Sequence, residues 1–273
     1  MTVRSRLFRP VHAFLLAAAV AGIAVSTACT PPKPPPVRVE VWGDSIAGQA
    51  SPYISFYLGL SGKATTRLHT FPGSALCDWF PDMRSELASP AGFHPQAVVI
   101  QFSGDAFTPC MKQSNGVAYS GQALIGKYAA DSAYVVSLFT RAHIPVYFVS
   151  TPITRAQAAQ GYVGDTPLGV MFSRLPARFP AGGLVRFIDG AAAVEWHGHY
   201  TDTLPCEPWE TCTGHWPDGT RTVVVREADG THFCPVAEVA AGGGFTRCPV
   251  YMGGAARYAI SIAGPVLRDF HLN

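Results

Sequence analysis

Charge is scarce in this chain: of its 273 residues only 14% are Asp, Glu, Lys or Arg, and the formal net charge is +2. Lysines and arginines stand singly instead of in stripes, so a nucleic-acid partner has no electrostatic footing. The cysteines lack the C-x-x-C and H-x-x-x-H spacings of zinc sites, which argues against metal and for disulfides. Internal repeats are missing too. The apolar run Val11 to Val25 is shorter than the roughly 20 residues a spanning helix needs. What is present is apolar: 48% hydrophobic residues exclude a disordered chain, while 27 glycines and 23 prolines demand many turns and long connections.

Arg4, Arg6 and Arg9 precede the apolar run, the layout of a secretory signal, with a retained anchor as the competing reading. The run ends in Ser26-Thr27-Ala28-Cys29, which resembles a bacterial lipobox with Ser26 in place of a larger aliphatic residue. Lipidation of Cys29 and ordinary signal cleavage both remain open, and either exports the protein to the cell envelope or beyond. We therefore read residues 1–29 as an export segment, 30–36 as a proline-rich extended tether and 37–273 as a single domain. Setting Cys29 aside leaves Cys77, Cys110, Cys206, Cys212, Cys234 and Cys248, an even set suited to an oxidising compartment. Six cysteines allow 15 pairings; local order favours Cys77 with Cys110, Cys206 with Cys212 and Cys234 with Cys248.

Continuous apolar or β-branched runs predict strands from Val37, over Thr66 to Phe71, Ala97 to Phe102 and Ile144 to Val149, with a weaker one over Leu184 to Ile188. Helical spacing runs through Trp79, Met83 and Leu87, and over Ala123 to Ala142. A last helix runs from Gly254 through Tyr258, Ile262 and Leu267, where Pro265 should kink or interrupt it. Strand-helix alternation predicts an α/β fold: a three-layer α/β/α sandwich on a central, mainly parallel sheet. Gly198 to Asp218, rich in Pro, Trp, Cys and Gly, reads as a disulfide-stapled excursion, with a short strand at Arg221 to Arg226 beside it.

Two short motifs carry chemistry. Gly43-Asp44-Ser45 follows the first strand, where glycine permits a tight turn that lifts a serine hydroxyl off the sheet edge. Asp229-Gly230-Thr231-His232 puts a carboxylate three residues before a histidine, so that one side of a short turn can carry both. Either motif alone is an ordinary turn; together they supply a nucleophile, a base and an orienting group.

These blocks resemble those of the SGNH hydrolases, also called the GDSL esterases and lipases. The first is Gly-Asp-Ser-Ile at 43–46, with isoleucine for the usual leucine. The resemblance implies a flavodoxin-like fold, Ser45 as nucleophile, His232 as general base and Asp229 as its partner. It also implies an oxyanion hole from the backbone of Ser45 and of Gly73, in Phe-Pro-Gly-Ser after the second strand. The third block departs from the family. Gln101-Phe102-Ser103-Gly104-Asp105 puts Asp105 where the family has an asparagine that donates to the oxyanion. An ionised carboxylate there repels the developing charge, unless burial keeps it protonated as a donor.

The expected activity is hydrolysis of a carboxylic ester, of a short acyl or acetyl group on an envelope glycan or lipid, without metal or organic cofactor. The same acyl-enzyme could pass its acyl group to a sugar hydroxyl, and Asp105 leaves open a glycan- or lipid-binding module with degraded chemistry. Trp209 and Trp216 in the stapled excursion are candidate ligand contacts, ahead of Trp79 and Trp196. His197-Gly198-His199 is more readily a turn than a metal pair, and His69, His94, His143, His215 and His271 have no partner at a telling spacing.

Overall fold

The computed structural model describes residues 35–60, 62–234 and 253–272. The export segment, Cys29, most of the tether and Cys248 lie outside the described residues. Strand β1 (Val37–Gly43) leads into helix α1 (Ser45–Gly59), then β2 (Ala64–Thr70), α2 (Phe80–Ala88), β3 (Ala97–Gln101), α3 (Gly121–Thr140) and β4 (Val146–Val149). Three short helices follow, α4 (Arg155–Ala159), α5 (Pro167–Ser173) and α6 (Leu175–Arg178), before β5 (Val185–Ile188). Three short strands, β6 (Thr203–Pro205), β7 (Gly214–His215) and β8 (Arg221–Val224), precede the last helix, α7 (Gly253–Asp269).

The first five strands form one sheet in the order β2-β1-β3-β4-β5, and every pair is parallel. Parallel strands need crossovers, which cover both faces and make the strands apolar throughout rather than alternating. Val39, Val41 and Val149 face a core built with Ile54 of α1 and Tyr258 and Ile262 of α7. Their strand neighbours Trp42, Val98, Ile100 and Phe148 face the opposite core, built with Met83, Val135, Phe139 and Phe172. The result is a three-layer α/β/α sandwich. Strand order reverses between β1 and β3, and open sheets of this kind form their ligand crevice at the carboxyl ends of the strands at that point.

Two expectations need correction. Helix α7 runs unbroken through Pro265, because Ile262 and Val266, both buried, hold the segments on either side of the proline against the sheet. The region 198–226 is more than a stapled loop: β6, β8 and β7 pair as an antiparallel sheet with its own small core of Leu204, Val223 and Val225. Disulfides join Cys77 to Cys110 and Cys206 to Cys212, as local order favoured. Cys234 is also disulfide-bonded. Among the described residues no helix is long and apolar enough to cross a membrane.

Candidate active site

Ser45 stands where β1 gives way to α1. A side chain at Gly43 would meet the Ala47 Cβ at 2.3 Å and the Gln101 carbonyl oxygen at 2.5 Å, so only glycine lets β1, β3 and the new helix converge there. Asp44 caps α1 by accepting the Ile46 N–H at 3.0 Å. Its other oxygen accepts both the backbone N–H of Ser103 and the Ser103 hydroxyl, the latter at 2.6 Å. The cap therefore also ties the Ser45 turn to the loop after β3. Burial raises the Asp44 pKa, against the lowering pull of Ser103 and Ile46.

His232 arrives from the far end of the chain, with Nε2 3.0 Å from the Ser45 hydroxyl and Nδ1 2.6 Å from Asp229 Oδ2. Burial pushes the Asp229 carboxyl up, but the His232 ring and the N–H groups of His232 and Thr231 outweigh it and hold the pKa below the usual value. Ionised, Asp229 can only accept. Nδ1 therefore carries the imidazole proton, and Nε2 presents its lone pair to the serine O–H. Asp229 Oδ1 takes the N–H of Thr231 at 2.8 Å and of His232 at 3.0 Å, folding the turn so that both side chains lie on one side.

Gly73 lies in the turn after β2, at φ 71°, a conformation that favours glycine. The turn abuts β1: Phe71 N–H donates to the Gly43 carbonyl at 3.2 Å, and the Ser74 hydroxyl donates to the Phe71 carbonyl at 2.7 Å. Asp105 lies in the loop after β3, where the Tyr128 hydroxyl donates to its backbone carbonyl at 3.0 Å. Burial, helped by the nearby Asp44 carboxylate, pushes the Asp105 carboxyl up to about 7. The Cys77–Cys110 bridge joins the segments just beyond these two loops. Beside Ser103 and Gly104 opens a cavity of about 380 Å³, walled by Leu124, Ile125, Tyr128, Tyr162 and Leu168.

Sequence reasoning missed three residues that hold this arrangement. Gln49, one turn along α1 from Ser45, bonds to the backbone of Phe233 and Cys234. Arg155 donates through its backbone to the Gly230 carbonyl and through its guanidinium to the Ala228 carbonyl and Asp202, all at 2.8 Å. Arg226 is buried against the Phe233 ring, and burial lowers its pKa to about 10 although Glu195 raises it. Arginine and glutamine read as surface residues in a sequence, and no local spacing marked these. Of the tryptophans, Trp209 is exposed; Trp216 packs edge-on against exposed Trp196 at 4.9 Å. Trp79 lies against Trp42 in the interior. His197-Gly198-His199 is a turn, closed by reciprocal hydrogen bonds between Trp196 and His199.

The sequence matches no protein-family model and none of the curated proteins. Its fold is similar to that of solved structures. An acetyl xylan esterase, AlAXEase, superposes with a TM-score of 0.50 at 14% identity, over 84% of this chain and all of that one (100%). A GDSL-like lipase from Bacteroides thetaiotaomicron aligns at 12% identity with a TM-score of 0.47, over 87% of this chain and 93% of its own. The five-stranded, all-parallel sheet flanked by helices is consistent with the SGNH hydrolase fold. A third match is the acetylxylan esterase Axe2 from Geobacillus stearothermophilus, in a catalytic mutant, at 14% identity and a TM-score of 0.45 over 87% of this chain and 95% of that one. Ser45 follows the carboxyl end of β1, and Ser103 and Asp105 follow that of β3, at the point where the strand order reverses.

Proposed function

We propose that this SGNH-fold chain is an extracytoplasmic serine esterase that hydrolyses a short acyl or acetyl ester on an envelope glycan or lipid. The reading rests on one observation above all: the 3.0 Å approach of His232 Nε2 to the Ser45 hydroxyl, with Asp229 on the other ring nitrogen. Ser45 Oγ bonds to the acyl carbon as its proton passes to Nε2, and the carbonyl π pair moves onto oxygen. The oxyanion is met by the Ser45 and Gly73 amides and by Asp105 as a protonated donor. The imidazolium then gives its proton to the leaving alcohol, and a water activated by the same imidazole releases the acid. This chemistry requires no metal and no cofactor.

The site's surroundings support the substrate class. The cavity beside Gly104 takes a small group, with Leu124 and Ile125 beside Gln122 on its α3 side, while Trp196, Trp216 and Tyr200 offer aromatic and hydroxyl surface for a sugar. One similar fold belongs to an acetyl xylan esterase. Two disulfides among the described residues suit an oxidising compartment.

Asp105 favours a second reading, a binding module with degraded chemistry, and one experiment separates the two. Intact protein is exposed to a fluorophosphonate probe and to p-nitrophenyl acetate beside Ser45→Ala. Labelling and turnover that vanish in the variant support the esterase; a folded protein with neither reaction supports the binding module. Release of free acid, against transfer to an added sugar acceptor, separates hydrolase from transferase.

A further inference from the structure

Spacing in the sequence gives His69 no partner, but the register of the first two strands does. Glu40 and Trp42 project from the same face of β1, and β2 sets Arg67 opposite Glu40 and His69 opposite Trp42. Glu40 is fully buried, and among the described residues neither of its carboxylate oxygens receives a hydrogen bond. Its nearest charged partner, His69 Nε2, is 3.8 Å away, too far for a hydrogen bond. That nitrogen is likewise buried and without a hydrogen bond. Stacking on Trp42, with ring centroids 3.6 Å apart and planes 6° from parallel, fixes the imidazole plane.

Glu86 of α2 closes the cluster. It accepts from Arg67 Nη1 at 2.6 and 2.7 Å and from the Phe93 N–H at 3.3 Å. A carboxylate has about four lone-pair sites, so one remains. One ligand atom each from Glu40, His69 and Glu86 lies within 4.8 Å of the others. Tetrahedral ligands roughly 2.0–2.2 Å from an ion are about 3.3–3.6 Å apart, so the 3.8 Å pair must close by a few tenths of an ångström and the widest separation by a side-chain shift of about 1.2–1.5 Å.

We propose that Glu40, His69 and Glu86 form a divalent-cation site that clamps α2 to β1 and β2, with zinc as its ion. One imidazole nitrogen and two carboxylate oxygens suit zinc better than magnesium or calcium, which prefer oxygen alone. The two carboxylates offset the ion's charge, with Arg67 already taking part of that of Glu86. Arg67 and the Phe93 amide orient Glu86 from outside, as partners of metal-bound carboxylates do. The His69 side chain is 17% exposed, so the cluster lies close beneath the surface. The site is built on the α2 side of the sheet and uses none of the residues proposed for ester hydrolysis.

The test is a zinc titration of chelator-treated full-length protein by calorimetry, with thermal unfolding in parallel. The variants are Glu40→Gln, His69→Ala and Glu86→Gln, with His197→Ala/His199→Ala as a control for surface binding. The expected result is one zinc per chain and a raised melting temperature. Affinity should fall at least about 10-fold in each cluster variant and stay unchanged in the control. Circular dichroism identifies any variant that fails to fold, and the remaining two then decide. No saturable binding by the parent protein, or undiminished binding by the folded cluster variants, overturns the site.

Discussion

The side-chain oxygen of Gln49 accepts the backbone N–H of Phe233 at 2.8 Å. The same oxygen takes the Cys234 N–H at 3.2 Å, and Nε2 donates back to the Cys234 carbonyl at 3.1 Å. One buried amide therefore fastens the segment just after His232 to the helix that begins with Ser45. Replacing Gln49 with Ala leaves buried backbone groups unpaired, at a cost of about 1–3 kcal/mol. Urea unfolding of Gln49→Ala should show that loss, and ester turnover should fall by about 10- to 100-fold, since a misplacement of about 1 Å is enough. Full turnover in a destabilised variant would remove Gln49 from any positioning role.

Gly43→Ala tests the convergence at the nucleophile. The new methyl meets a backbone carbonyl and the Ala47 side chain at distances that no real Cβ tolerates, so β1 and α1 must separate. We expect soluble protein with at least about 100-fold slower fluorophosphonate labelling, because near-attack geometry is lost.

Asp105 sets a pH dependence. Its folded pKa of about 7 lies above the unfolded value of about 3.9. Between these values the folded chain holds a proton that the unfolded chain has released, so stability falls as pH rises from about 4 to about 7. Above about 7 the carboxylate is charged and, on the proposed role, can no longer donate to an oxyanion. Asp105→Asn should flatten that slope of stability in denaturant titrations, and should raise esterase activity, most of all on the alkaline side. Equal or lower turnover in folded Asp105→Asn at pH 8 would count against the donor role.

The Cys77–Cys110 bridge closes a loop across a sequence separation of 33, worth about 3–4 kcal/mol on chain-entropy grounds. It also joins the loops that carry Gly73 and Asp105. Cys77→Ser/Cys110→Ser should unfold at lower denaturant and lose about 10-fold or more in turnover while Ser45 still labels. The Cys206–Cys212 pair lies in the small antiparallel sheet, so its removal should cost stability without comparable loss of turnover.

Much of the fold is written locally. The buried runs of β1, β3 and β4 are apolar because helices cover both faces of the sheet, and Gly43-Asp44-Ser45 and Asp229-x-x-His232 mark turns that short spacing alone can fold. What escaped the sequence depends on distance along the chain. Short helices α4 to α6 lack the turns needed for a clear period, and α5 and α6 each begin with a proline at an early position. The strands β6 and β7 are three and two residues long, and only their pairing with β8, which the sequence did mark, makes them strands. Continuity through Pro265 is imposed by packing from both sides. Gln49, Arg155, Arg226 and the Glu40–His69 contact acquire meaning only when segments far apart in sequence meet.

The Ser45 hydroxyl and its imidazole neighbour are 187 positions apart. On the esterase reading proposed above, the alcohol and the group meant to strip its proton belong to opposite ends of the sequence. A chain clipped ahead of residue 229 keeps the first and loses the second, so it should be chemically silent however well its sheet survives.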